Sequence, residues 1–109
     1  MYVILWKFEV DREHVVEFER VYGSKGEWSK FFERGEGYIG TELLLDANGP
    51  GNYVTIDRWE SQAAYENFRR AWLDEYESLD ERCENLTVHE VHIGSFVVNE
   101  QQEIGPDKH

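Results

Sequence analysis

The chain is short of basic residues, of cysteine and of long apolar runs, and each shortage narrows its function. Eleven Lys and Arg stand against 23 Asp and Glu, a formal charge of -12. Such a surface repels phosphate backbones and anionic lipids, and no cluster of Lys or Arg offsets it locally, so neither nucleic acid nor membrane is expected as a partner. The single cysteine, Cys83, permits no internal disulfide, in keeping with a reducing compartment. No apolar run approaches the ~20 residues of a membrane span. The opening MYVILWKFEV lacks the charged start and cleavage site of a signal peptide. The expectation is a soluble, cytoplasmic protein.

What the chain does hold is apolar and aromatic: 40% of its 109 residues are hydrophobic and 16 are Phe, Trp or Tyr. That suffices for one domain with a core, and for a pocket or subunit contact besides. YVILWKFEV alternates Tyr2, Ile4, Trp6, Phe8 and Val10 against a more polar set, which predicts a strand with one apolar face. Asp11 stands at a helix N-cap position, followed by Val15, Phe18 and Tyr22 at helical spacing. Gly23 and Gly26 break that helix, and EWSKFFERGEGY predicts a second short helical piece carrying Trp28, Phe31 and Phe32. YIGTELLLD and NYVTIDRWE read as two strands joined by the turn-rich ANGPG, hence an antiparallel hairpin. Ser61 caps a long helix with a stripe of Tyr65, Phe68, Trp72, Tyr76 and Leu79. TVHEVHIGSFVV is the last strand, with Gly94 at a bulge.

This order predicts an α+β, ferredoxin-like β-α-β-β-α-β domain over residues 1–98 with a four-stranded antiparallel sheet, followed by a polar tail, residues 99–109. Two helices cover one face of such a sheet. The other face exposes apolar side chains, which a second copy packed sheet to sheet hides, so a homodimer is expected.

Four stretches in this order, GYIGTELLLD, IDRWES, AAYENFRRAWLDEYESLD and IGSFVV, resemble the antibiotic biosynthesis monooxygenase (ABM) domain, one of the dimeric α/β barrels. The resemblance covers residues 2–98 and implies that fold. Within the family some members oxidise phenols or quinols with molecular oxygen and neither metal nor flavin, others degrade haem, and others isomerise small molecules. It implies as well that Trp59, Trp6 and Tyr65 wall a cavity between sheet and helices; Trp28 and Trp72 are counted with them as candidate substrate contacts. The competing reading makes these rings plain core.

Cofactor-free oxygenation needs a base or polarising donor at the pocket wall. Asp57 shares a strand face with Tyr53, Thr55 and Trp59, and Tyr76 lies eleven residues beyond Tyr65 on the same side of a helix, so both are candidate catalytic groups. Otherwise Asp57 pairs with Arg58 or Arg69, and the tyrosines only pack. No metal and no cofactor is expected. His89 and His92 are three apart in a strand and point to opposite faces, while Glu90 and His92 share one but make only two ligands. The haem-degrading members take their axial histidine from the second long helix; residues 61–84 hold none, leaving His14 on the first helix. Cys83 has no histidine nearby in sequence to activate it, and the chain has no G-x-S-x-G. The expected function is a cofactor-independent monooxygenase acting on a small aromatic, quinol or polyketide-like molecule. The alternative is a non-catalytic ligand-binding or dimerisation module whose own side chains fill the pocket. A cavity of roughly 300 Å³ or more favours the enzyme.

Overall fold

The computed structural model describes residues 1–99, so most of the polar tail lies outside the described residues. Period-two alternation makes β1 (Tyr2–Glu9), which buries Tyr2, Ile4 and Phe8 on one face and leaves Lys7 and Glu9 exposed on the other. The first helix starts later than Asp11 suggests. A 3-10 turn at Arg12–His14 intervenes, the Asp11 side chain makes no cap hydrogen bond, and α1 spans Val15–Tyr22. The next helix, α2, spans Glu27–Phe32 and buries Trp28, Phe31 and Phe32. Gly26 permits the tight passage between them, because a Cβ there would lie 2.4 Å from the Val21 carbonyl oxygen and 2.5 Å from that of Arg20.

The hairpin forms as expected. β2 (Tyr38–Leu45) and β3 (Asn52–Trp59) pair antiparallel, and Gly51 takes a φ of 88° that favours glycine. Its carbonyl accepts the Val10 N–H at 2.8 Å, tying the hairpin to the end of β1.

The long helix after Ser61 is two helices. Ser61 does cap the first, its hydroxyl oxygen accepting the Ala64 N–H at 3.1 Å, but α3 ends at Ala71 (Gln62–Ala71) and α4 begins at Leu73 (Leu73–Cys83). Trp72 leaves helical dihedrals at φ -120°, ψ 30°. Its N–H still donates to the Phe68 carbonyl at 3.0 Å and its carbonyl accepts from Tyr76 at 2.8 Å. Hydrogen bonding therefore runs through the joint, which is why the apolar spacing crosses it undisturbed.

With β4 (His89–Val97) the sheet runs β2-β3-β1-β4, every neighbouring pair antiparallel, the ferredoxin-like order. Leu5 pairs with Gly94 and Trp6 with His92, so the bulge falls at Ile93 beside Gly94. One sheet face carries the buried Tyr2, Ile4, Phe8, Tyr53, Thr55 and Trp59. The other carries Val3, Leu5, Val54 and Ile56, half-buried, and Leu44, Val91 and Phe96, exposed. Among the described residues no helix is long and apolar enough to cross a membrane.

Candidate functional site

The buried sheet face divides into two regions. At one end Trp59, paired with Tyr2 of β1 and Tyr38 of β2, has no exposed surface. The rings of Tyr38, Phe68, Tyr65 and Phe32 surround it with centroids 5.2, 5.2, 5.6 and 5.8 Å away. Gly35 lies so close that a Cβ there would stand 2.9 Å from the Trp59 ring. The structure places Trp59 in the core and not on the wall of the cavity lined by Asp57, because α2 and the segment after it close over the strand end. Tyr65 belongs to the same cluster; it packs on Tyr2 at 5.8 Å, and its hydroxyl accepts a hydrogen bond from Arg69 at 3.0 Å. Trp72, turned by the helix break, is half-buried with the Arg34 guanidinium 5.2 Å from its ring. It too is absent from the cavity wall.

The cavity lies along the middle strands. Trp6 and Phe8 of β1, Tyr22 of α1, Trp28 and Phe32 of α2, and Tyr76 of α4 supply its rings; Thr41, Thr55, Asp57, Asp80 and Glu90 supply its polar groups. Trp6, Trp28, Asp57 and Tyr76 are thus the anticipated residues that do meet there. The hollow measures about 60 Å³ and is open to solvent; it has room for roughly four waters and is well under the ~150 Å³ of a closed cavity that takes up benzene, so a single ring enters it only in part. It falls short of the roughly 300 Å³ that would favour the enzyme over a filled binding module.

Asp57 is the chemically distinctive wall residue. It pairs with neither Arg58 nor Arg69. Its Oδ1 accepts from the Thr41 hydroxyl at 2.7 Å, and the Thr41 oxygen lies 2.6 Å from the Tyr38 hydroxyl, while Arg58 pairs with Glu42. Burial pushes the Asp57 carboxyl up to about 6, with the Thr41 bond opposing. Tyr76 goes the other way in role. Burial foremost, and Tyr65 next, raise its hydroxyl well above the ordinary tyrosine range, with the Arg69 guanidinium opposing, its carbon 4.0 Å from the ring centroid. Tyr76 therefore stays protonated at neutral pH and can donate a hydrogen bond, whereas Asp57 is the wall group that ionises near neutrality.

Thr41 was not singled out from the sequence. A register shift between Tyr38 and Gly40 puts Tyr38 and Thr41, three apart, on the face of Asp57; in an unbroken strand they would oppose. Glu90 was noted only for its shared face with His92, yet it reaches the cavity, and burial together with Asp80 and Glu84 raises its carboxyl.

No histidine or cysteine stands on the cavity wall. His92 packs on Trp6 with centroids 5.0 Å apart and lies 3.0 Å from the Ser95 hydroxyl, whereas His89 pairs with Glu9 on the other face. His14 sits at the turn after β1, where it, Asp11 and Glu13 bring donor atoms within 4.8 Å of one another, outside the cavity. Cys83 is buried and burial pushes its thiol up, the opposite of an activated thiol.

Several solved structures share this fold. A candidate antibiotic biosynthesis monooxygenase from Deinococcus radiodurans superposes with a TM-score of 0.76 at 12% identity, covering 96% of this chain and 99% of that one. A variant of SnoaB, a cofactor-independent oxygenase from Streptomyces nogalater, gives 0.68 at 23% identity over 91% and 93%. A variant of MhuD with two manganese protoporphyrin IX bound per active site gives 0.67 at 18% identity over 96% and 99%. Among curated protein sequences none is detectably similar. Residues 1–72 match the sequence model of the antibiotic biosynthesis monooxygenase family, and the chain belongs to that family.

Proposed function

We propose that this protein is a cofactor-independent monooxygenase acting on a small, single-ring phenol or quinol held between sheet and helices. The observation that carries the reading is Asp57, a carboxylate poised at about 6 on a wall of aromatic rings. At neutral pH it is largely ionised yet basic enough to take a phenolic proton, the balance general-base catalysis needs. The Tyr76 hydroxyl, held protonated, donates to the developing anion. That anion then reduces dioxygen directly. For a hydroquinone the reaction balances as one quinol plus one O₂ giving a hydroxyquinone and water: one oxygen atom enters the ring, the other leaves as water, and the ring supplies all four electrons. The likeness to SnoaB supports this class by analogy of fold.

A porphyrin does not fit. The hollow of about 60 Å³ is a small fraction of a macrocycle, and its wall presents no histidine or cysteine as an axial donor. The same small volume favours a second reading, a binding module whose own rings have largely filled the pocket.

Oxygen uptake by the metal-stripped protein with hydroquinones separates the two. The expected result is uptake above the spontaneous rate, one O₂ per quinol, falling at least about 100-fold in Asp57→Asn. Uptake equal in wild type and variant would remove Asp57 from the mechanism; quinol binding without uptake would favour the binding module.

The assembly that accompanies this reading is a homodimer through the uncovered sheet face, where Leu5, Ile56, Val91 and Phe96 form an apolar patch. Light scattering at micromolar concentration is expected to give twice the 12.9 kDa chain mass, and Ile56→Asp to return it to the monomer. A wild-type monomer would overturn this assembly.

A further inference from the structure

Of the eleven side chains around the cavity six are aromatic, three are carboxylates and none is Lys or Arg. Ring faces carry negative quadrupole potential, so walls of this kind and carboxylates favour the same guest, a cation. The carboxylates are also graded in depth. Asp57 is the most enclosed, whereas Asp80 and Glu90 belong to exposed residues and so stand at the mouth. Glu90 is held up partly by repulsion from Asp80 and Glu84, which a bound positive charge relieves. One guanidinium packs nearby: Arg69 of α3 lies on the Tyr76 ring, donates to the Tyr65 hydroxyl and feels the charge of Asp80. It offsets part of the Asp80 charge and neither Asp57 nor Glu90, so the lining of the hollow stays net negative.

We propose that the ligand of this site carries a positive charge, a protonated or quaternary amine seated at the mouth between Asp80 and Glu90 with its ring against the aromatic walls. The placement of the ring beside Asp57 rests on the oxygenase reading, while the charge selectivity stands on the walls alone. A carboxylated phenol meets only like charge there.

The test uses three phenols of similar size that differ in the charge of one arm: tyramine, tyrosol and 4-hydroxyphenylacetate. Calorimetry at low salt is expected to find tyramine at least about tenfold tighter than the neutral tyrosol, and 4-hydroxyphenylacetate weaker than both. Raising salt should weaken tyramine selectively. In the double variant Asp80→Asn/Glu90→Gln the two ligands should come within about threefold of each other, continued binding of tyrosol showing that the variant is folded. Tyrosol matching tyramine in the wild type would overturn the proposal, as would a tenfold preference that survives in the double variant or an absence of tyramine binding at millimolar concentration. None of these results bears on oxygen uptake with neutral hydroquinones, so the two readings fail separately.

Discussion

Trp59→Ala is expected to destabilise the fold by about 4 kcal/mol, the middle of the range for deleting a buried aromatic. Trp59 has no exposed surface, four rings lie within 5.8 Å of it, and Gly35 is pressed against it. The surrounding residues come from α2, β2, α3 and β1 at once. They cannot collapse into the void together without shifting the sheet against the helices, so a cavity remains and its cost adds to the lost transfer energy. Trp59→Phe keeps a ring in the site and should lose about half as much. Urea denaturation measures both. A loss below about 1 kcal/mol for the alanine variant would contradict the placement of Trp59 as the anchor where β3 gives way to α3. Because the ring is off the cavity wall, Trp59→Phe is also expected to leave quinol oxidation within a few-fold of wild type. A much deeper loss of turnover in a folded protein would put the ring back at the site.

The same residue marks the limit of what the strand sequence conveys. Alternation along NYVTIDRW correctly puts Tyr53, Thr55, Asp57 and Trp59 on one face, and the strand order follows from the pattern of turns and caps. Which of those four meets a cavity depends on where α2 lands, and that is set by the passage through Gly26 and by the packing of Phe32 and Gly35 over the end of β3. No local periodicity encodes it. Two further features escaped for related reasons. The joint at Trp72 keeps its hydrogen bonds, so the apolar spacing of Tyr65, Phe68, Tyr76 and Leu79 reads as one helix although the backbone is not helical there. The Tyr38–Thr41–Asp57 chain depends on the irregular register around Ile39, and alternation alone assigns Tyr38 and Thr41 to opposite faces. Trp6, by contrast, sits in the middle of β1 where no element overlies the strand as tightly, and both the alternation and the family resemblance carried it to the cavity.

Asp57→Asn is expected to make the protein more stable while abolishing turnover. Burial lifts the folded carboxyl from 3.8 to about 6, which means the charged form is disfavoured in the fold by roughly 3 kcal/mol relative to the unfolded chain. A raised folded value in an acid gives a definite sign. The stabilising contribution of the protonated group is complete below about pH 4, is lost as pH climbs through about 6, and is absent at neutral pH. Asparagine is nearly the same shape, carries no charge, and keeps an oxygen to accept the Thr41 hydroxyl that now lies 2.7 Å from Oδ1. The variant should therefore exceed wild type by about 2 kcal/mol at pH 7 and match it near pH 4, read from denaturation midpoints across that interval. Oxidation by the wild type should rise with pH through about 6 as the base ionises, and the variant should show no such rise. A variant less stable than wild type at pH 7 would mean the carboxylate is held by favourable contacts and serves the fold. Greater stability with loss of the pH-dependent rate would mean the charge is kept at a cost to folding for the sake of the cavity it lines.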